Sequence, residues 1–295
     1  MNLSNQPKNF TLLLIGCIII GVMVAVTLCA IILIPFIDIA HGDGLDMLSL
    51  PREKLISVQT IQMIGFFILP PVLFALFSKN DFLTCFNFDK PNGVTKYLFA
   101  TFLALALFPV LINFQYWTIQ APWPESIKII AENQKALNEK IIGIFLNEPG
   151  LGNLLFMIGM IGIGAGLTEE LFFRGLLMPW IERITKNTWA AIIMSGTIFS
   201  MFHSNFYDFL PIVVVGILFG YIYSKTRDLK LNIYIHALYN SSQVILNYLY
   251  KNKMIAVNLE EIEQVPILAW AICLAVVIFL VYKIVKNYEY ISDPS

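Results

Sequence analysis

The sequence predicts an all-α fold, a polytopic bundle of about eight transmembrane helices in one integral membrane domain over residues 1–295. Of the 295 residues, 58% are hydrophobic and only 13% are charged, and the mean hydropathy is +0.73. A soluble domain would carry about 25% charged residues. The hydrophobic residues are also gathered into long runs, and a helix needs about 20 such residues to cross a bilayer.

Eight hydrophobic runs are candidates for the spanning helices. They are residues 10–36, 56–78, 96–114, 153–182, 189–204, 208–224, 231–249 and 265–286. The first run is much longer than the core of a signal peptide, which is about 7–15 residues, so we expect a first transmembrane helix and not a cleaved signal. The second run contains Pro70-Pro71, which should kink it because proline has no backbone N–H to donate.

The distribution of charge predicts the orientation and excludes one class of partner. With eight helices, the side of the membrane that holds both termini carries eleven loop lysines and arginines, and the other side carries seven. By the positive-inside rule we expect both termini in the cytoplasm, in a protein of the cell membrane. The net charge of −1 argues against nucleic acid as a partner.

Residues 115–150 predict an interfacial loop followed by an amphipathic helix. The segment opens with aromatic residues, among them Trp117 and Trp123, which favour the membrane interface. Apolar residues then recur at helical spacing among charged ones: Ile130, Leu137, Ile141, Ile144 and Phe145. Such a helix either lies on the membrane surface or packs, solvated, on its own bundle.

A charged cluster interrupts the fourth hydrophobic run. Glu169 and Glu170 are adjacent, and Arg174 follows them. A charge at membrane depth costs roughly 3 kcal/mol or more, so such residues usually mark a pathway or an active site. Glu170 and Arg174 are four residues apart and can pair on one helix face. Glu169 lies about 100° further around the helix and can point elsewhere, where it could act as a general base.

Histidine and asparagine side chains lie in later hydrophobic runs. His203 is about 14 residues from the cytoplasmic end of its run, as Glu169 is of its own, and we expect both at roughly 20 Å depth. His236 and Asn240 are four apart and share a face, but the same count places His236 only about 8 Å deep. Either that helix begins in a recess or the assigned boundaries are wrong. His41 lies in an Asp-rich loop.

Other hydrolytic chemistries fit the sequence less well. There is no H-E-x-x-H motif for a zinc protease. Ser195-Gly196 is not set in a serine-nucleophile context, and Gly42-Asp43-Gly44 lies outside every run. Carboxylates and imidazoles together permit a metal site without requiring one. No two of the cysteines have metal-ligand spacing, and we expect no disulfide framework: Cys17, Cys29, Cys85 and Cys273.

Three motifs follow one another on separate hydrophobic runs. They are Glu169-Glu170-x-x-x-Arg174, Phe199-x-x-x-His203 and His236-x-x-x-Asn240. This order resembles the CAAX prenyl protease and bacteriocin-processing family (CPBP, or Abi) of intramembrane endopeptidases, and the resemblance covers about 165–245, the core that carries the motifs. It implies a helix bundle with a membrane-embedded active-site cavity. It also implies peptide-bond hydrolysis without a covalent acyl-enzyme.

The resemblance implies roles for the motif residues. Glu169 would activate water with the help of His203, and Glu170 would help to stabilise the site. His236 and Asn240 would stabilise the tetrahedral oxyanion, to which a donor pair in a dry site contributes about 3 kcal/mol or more. The assignment comprises five catalytic residues (Glu169, Glu170, His203, His236 and Asn240) and two that shape the site (Arg174 and Phe199).

The resemblance also implies the partners of the protein. Its substrate would be a membrane-anchored or lipid-modified protein, or a bacteriocin-like peptide, reached from the lipid bilayer, and no obligatory metal or other cofactor is expected. Two alternatives belong to different classes. One is a catalytically silent immunity or scaffold protein. The other is a proton-coupled transporter, since Glu and His clusters also relay protons, although the sequence has no internal repeat of the kind many transporters show.

Overall fold

The computed structural model describes residues 9–36, 47–79, 81–88, 93–146, 148, 150–203, 205–256 and 264–292. These residues form helices joined by turns, with no strand among them. His41 and Gly42-Asp43-Gly44 lie outside the described residues.

The helices are numbered here in chain order. They are α1 Phe10–Leu33, α2 Arg52–Phe77, α3 Phe82–Cys85, α4 Val94–Gln120, α5 Glu125–Leu146, α6 Leu151–Thr185, α7 Thr188–Met201, α8 Phe209–Thr226, α9 Leu229–Lys251 and α10 Ile267–Ser292. Short 3₁₀ turns at Ile34–Phe36 and Met47–Ser49 flank the α1–α2 connection.

The described helices form the polytopic membrane bundle that the hydropathy predicts. Six of them are long and apolar enough to cross a membrane: α1 with its 3₁₀ extension, α2, α4, α6, α8 and α10. Helix α7 is apolar but shorter, and α9 has 23 residues but is more polar. The helical membrane fold is therefore confirmed, while eight spanning helices stays a prediction.

Wide, π-helical turns interrupt two of the long helices. In α2 such a turn, Ile64–Ile68, ends two residues before Pro70-Pro71. At the predicted kink the helix therefore has a widened turn and continues through the prolines. In α6 two wide turns, Ile158–Gly164 and Phe173–Leu177, flank the regular stretch Ala165–Phe172 that carries both glutamates. Turns of this kind are frequent at functional sites.

The helix boundaries differ from the sequence prediction around α4 and α5. Helix α4 continues to Gln120, so Trp117 belongs to a helix and not to an interfacial loop. The turn before α5 is held by Trp123, whose indole Nε1 donates to the Thr118 carbonyl at 2.7 Å. Helix α5 forms over Glu125–Leu146, and its place on the membrane surface or against the bundle stays a prediction.

Helix α7 ends earlier than predicted, which corrects the position of His203. The helix stops at Met201, so His203 lies in the turn that follows and not 14 residues inside a helix. The turn is closed by the His203 N–H, which donates to the Ser200 carbonyl at 3.0 Å. The Ser200 hydroxyl donates to the Phe209 carbonyl at 2.7 Å. This bond ties the end of α7 to the start of α8, and the chain reverses there.

Close approach of α6 to α9 depends on a glycine. A Cβ added to Gly166 would lie 2.8 Å from the backbone N of Ala237, the residue after His236. Real Cβ atoms essentially never come this close to backbone atoms. Because Gly166 is one turn before Glu170, this contact sets the distance between the two carboxylates of α6 and the imidazole of α9.

Gly166→Val is expected to destabilise the protein by about 1–3 kcal/mol, the usual cost of overpacking a close-packed contact. Gly159→Val is the matched control, because Gly159 lies in the same helix and an added Cβ meets nothing within 4 Å. Thermal unfolding of the purified protein in lipid nanodiscs measures both variants. Equal melting temperatures for the two variants would contradict the assignment of Gly166 as the contact that brings α6 and α9 together.

Candidate active site

The two adjacent glutamates of α6 occupy different environments. The Glu170 side chain is fully buried in the bundle, whereas the Glu169 side chain is 16% exposed. Successive residues of a helix differ by about 100° in direction, which separates the two carboxylates. Glu169 Oε2 is itself buried, and it has no hydrogen-bond partner in the described part of the chain. The pair therefore consists of one carboxylate built into the core and one that still has an acceptor to offer.

Glu170 pairs with Arg174, as the spacing of four residues predicts. Arg174 Nη1 lies 2.8 Å from Glu170 Oε1, and both side chains are fully buried. Arg174 Nη2 donates to the Gly216 carbonyl of α8 at 3.0 Å. The guanidinium lies over the rings of Phe199 and Phe219, at 4.8 and 5.6 Å. Arg174 is thus engaged in charge compensation and in cation–π contacts that join α6 to α7 and α8.

His236 lies between the two carboxylates. Its Nδ1 is 3.0 Å from Glu170 Oε1, and its Nε2 is 3.8 Å from Glu169 Oε2. A carboxylate paired with a guanidinium accepts hydrogen bonds and donates none, so the Nδ1 proton points to Glu170. Nε2 is thereby turned toward Glu169. Two packed rings, Phe199 at 5.8 Å and Phe219 at 5.5 Å, hold the imidazole in this orientation.

The start of α9 is packed inside the bundle. Asp228, Leu229 and Asn232 are fully buried. His236, two turns into the helix, contacts both Glu169 and Glu170. The three side chains therefore lie at one level of the bundle, although counting from the helix ends gives them different depths.

His203 approaches the site from the turn after α7. Its side chain is exposed, its Nδ1 lies 3.0 Å from the Phe199 carbonyl, and its ring stands edge-on to the Phe199 ring at 4.8 Å. A carbonyl oxygen only accepts, so Nδ1 carries the proton and Nε2 is the acceptor in the neutral imidazole. Among the described residues no hydrogen bond or ion pair joins His203 to Glu169. Phe199 contacts both imidazoles and so couples His203 to His236.

Asn240 lies one turn beyond His236 on α9. Its Nδ2 donates to the Ile161 carbonyl at 3.3 Å, within the first wide turn of α6. The second hydrogen on Nδ2 is not used by that bond. The structure thus brings Glu169, Glu170 and His236 into contact, and it places Asn240 and His203 at the edges of this group.

Two further polar residues belong to the same region and are absent from the sequence prediction. Asn232 donates from Nδ2 to Glu170 Oε2 at 3.3 Å and to the Phe219 carbonyl at 2.8 Å. The spacing 232, 236, 240 contains a signal that could have found it, since residues four apart share a helix face.

Asp208, at the start of α8, is the second such residue. Its carboxylate accepts hydrogen bonds from the side chains of Gln115 and Asn205, which holds the turn that contains His203. Burial raises the pKa of Asp208 to about 6, and the positive charges of a protonated His203 and of Lys135 oppose that rise. No local pattern marks Asp208, because its partners come from α4 and from an irregular turn.

The side chains of the site differ from a metal-binding group. In the part of the chain that the structure describes, no group of three or more His, Cys, Asp or Glu side chains is placed to hold one. The carboxylate–imidazole group instead forms a chain from Arg174 through Glu170 and His236 to Glu169. Such a chain can orient a general base and carry a positive charge on the imidazole.

Comparison with known proteins supports the resemblance that the motifs indicate. Residues 151–242 match the family model described as type II CAAX prenyl endopeptidase, Rce1-like. The match covers about a third of the chain and includes all three motifs. It confirms the resemblance to the CPBP family. No curated protein and no solved structure matches the chain significantly.

Proposed function

We propose, from the Rce1-like character of residues 151–242, that this membrane protein is an intramembrane endopeptidase. It would hydrolyse a peptide bond of a membrane-associated or lipid-modified protein, or of a bacteriocin-like peptide, with water activated by Glu169. The observation that carries the proposal is the imidazole of His236, held 3.0 Å from Glu170 and 3.8 Å from Glu169. Family match and geometry together favour hydrolysis over the other uses of a Glu–His cluster.

Glu169 is the proposed general base. It is the carboxylate of the pair that is partly exposed, and its Oε2 has an unused acceptor site. Glu169 takes a proton from water as the oxygen of that water attacks the scissile carbonyl carbon. The tetrahedral intermediate then collapses, the C–N bond breaks, and the proton held by Glu169 passes to the departing amine. Positioned proton transfer of this kind contributes about 10²–10⁴-fold to a rate.

His236 and Asn240 are the proposed oxyanion donors. His236 already directs its Nδ1 proton to Glu170, so it can donate to an oxyanion only through Nε2 and only when both nitrogens are protonated. The Glu170 carboxylate would stabilise that imidazolium, and Arg174 Nη1, 2.8 Å from Glu170 Oε1, compensates the carboxylate charge. Asn240 would add a neutral donor from the next turn of the same helix. Preorganised donors of this kind stabilise the charge that develops in the transition state.

His203 is proposed to hold the attacking water with Glu169. Its Nδ1 proton is satisfied by the Phe199 carbonyl, which leaves Nε2 to accept a hydrogen bond from water. Catalytic hydrogen bonds are often loose before substrate binds. Because His203 is exposed and Glu170 is fully buried, we expect substrate to approach the site from the turn that carries His203.

Mass spectrometry of protein N-termini in host membranes tests the proposal. Four strains are compared at equal protein levels: wild type, Glu169→Ala, His203→Ala and Glu139→Ala. Glu139 is the control, because it is an exposed glutamate of α5 whose one ion pair in the described part of the chain is with Lys135, at 3.7 Å. New N-termini are expected with the wild type and with Glu139→Ala, and they should be absent from the other two strains. The same termini identify the substrate.

Identical N-termini in all four strains, under conditions where the wild type has a phenotype, would refute the protease. The two alternatives then separate by a further measurement. Uptake that depends on a proton gradient would favour a transporter, and a phenotype that survives Glu169→Ala would favour a silent immunity or scaffold protein.

A further inference from the structure

Asn232 occupies the junction of three helices beside the proposed site. It belongs to α9, is fully buried, and lies one turn before His236. Its single Nδ2 group donates both to Glu170 Oε2 of α6 at 3.3 Å and to the Phe219 carbonyl of α8 at 2.8 Å. This one group therefore joins α9 to both α6 and α8 by hydrogen bonds.

The amide of Asn232 is held in one orientation. Reversing it would place Oδ1 against the Glu170 carboxylate and the Phe219 carbonyl, which are both acceptors. In the orientation adopted, Oδ1 is buried and has no hydrogen-bond partner in the described part of the chain. A buried amide with an unsatisfied acceptor is a poor choice for stability alone. Its donor group serves a purpose that an apolar side chain of similar size would not, since it satisfies two buried acceptors, one of them charged.

That purpose is visible in how Glu170 is held. Glu170 Oε1 receives both Arg174 Nη1 at 2.8 Å and His236 Nδ1 at 3.0 Å. Oε2 receives Asn232. With both oxygens held, the carboxylate cannot rotate about its last bond. Without Asn232, Oε1 keeps both of its partners but Oε2 has lost its own, so one fewer hydrogen bond opposes rotation of the carboxylate beside His236.

We propose that Asn232 is a positioning residue, which fixes the Glu170 carboxylate and through it the direction in which His236 presents Nε2. The inference rests on the proposed function. It assigns to Asn232 no contact with substrate. The expected consequence of its loss is a slower chemical step at unchanged substrate binding, because misplacing a catalytic group by about 1 Å can cost up to about 10²-fold in rate.

A double-mutant cycle tests, without any substrate, whether Asn232 holds the Glu170 carboxylate. The melting temperature is measured for Asn232→Leu, for Glu170→Gln and for both changes in one chain. If Asn232 holds the charged carboxylate, Asn232→Leu should lower the melting temperature at most about half as much in the Glu170→Gln background as in the wild type. Additive shifts would overturn the proposal, and this readout does not depend on whether the protein is a protease.

Steady-state kinetics in nanodiscs test whether Asn232 affects the chemical step. The substrate is a peptide that spans the cleavage site identified by mass spectrometry of N-termini. We expect Asn232→Leu to lower kcat about 10-fold or more and to leave KM within about twofold, the signature of an interaction used in the transition state. Asn232→Asp should also lower kcat, because aspartate keeps the shape of the side chain but has a carboxylate oxygen in place of the amide donor.

Asn113→Leu is the matched control for both experiments. Asn113 is also fully buried, its Nδ2 donates to the Val265 carbonyl at 3.0 Å, and its Oδ1 accepts from the Val265 N–H at 2.8 Å. Its loss should lower the melting temperature while kcat and KM stay at wild-type values. Equal kcat for Asn232→Leu and wild type would overturn the positioning role alone. A wild type that cleaves no membrane protein would overturn the protease, while the cycle still decides whether Asn232 holds Glu170.

Discussion

Glu169→Gln is expected to lower kcat for peptide hydrolysis by about 10²–10⁴-fold, the contribution of a positioned general base. Glutamine keeps the size of the side chain but has no carboxylate to take a proton from water. Stability should not fall, because the substitution replaces a buried oxygen that has no hydrogen-bond partner and removes its charge. Glu169 Oε2 has no hydrogen bond to lose, and its nearest charged partner is His236 at 3.8 Å.

The measurement combines single-turnover cleavage of the identified peptide with thermal unfolding of the same nanodisc preparation. Glu139→Gln serves as the matched control, since it removes an exposed carboxylate of α5 and should change neither value. A Glu169→Gln protein that melts like the wild type and still cleaves at more than a tenth of its rate would exclude Glu169 as the base. If Glu169→Gln is inactive and also melts at a lower temperature, misfolding could explain the lost activity. Glu169→Asp is then measured in the same way, because it keeps the charge but shortens the side chain. A Glu169→Asp protein that melts like the wild type and is inactive would assign the loss to the site and not to the fold.

Arg174→Met is expected to cost about 3–5 kcal/mol of stability, because removing one member of a buried ion pair leaves the other charge uncompensated. Arg174 and Glu170 are both fully buried, at 2.8 Å from each other. The variant also loses the bond to the Gly216 carbonyl and the contacts with two aromatic rings. Adding Glu170→Gln to the same chain should restore part of the loss, since it removes the orphaned charge.

Thermal and denaturant unfolding of Arg174→Met, Glu170→Gln and the double variant measure this effect. Arg227→Met is the control, because the Arg227–Glu182 pair at 3.0 Å is partly exposed, at 32% and 10%, and such pairs contribute less. If the double variant is no more stable than Arg174→Met, the orphaned charge of Glu170 is not the source of the cost. Restored stability without restored cleavage would show that cleavage needs these two residues for more than the stability of the fold.

The sequence alone determined the class of the fold and the family resemblance. Hydrophobic runs specify membrane helices because the bilayer core offers no water to the backbone, and a helix satisfies all of its backbone hydrogen bonds within one segment. Residues four apart meet on one helix face, so the pairing of Glu170 with Arg174 also follows from local spacing. The three motifs are equally local, since each lies within a single helix or at its end, and the resemblance to the CPBP family rests on them.

Tertiary structure alone decided which site residues of different helices meet. The end of α7 at Met201, which leaves His203 in an exposed turn, depends on the bond from Ser200 to Phe209. The contact of His236 with both glutamates depends on a buried start of α9 and on the small residue Gly166. Distances between helices arise from packing surfaces far apart in the chain, and no period in the sequence records them. The spacing of 232, 236 and 240 places Asn232 on the face of His236, but its partners on α6 and α8 are 62 and 13 residues away, and no local pattern indicates them.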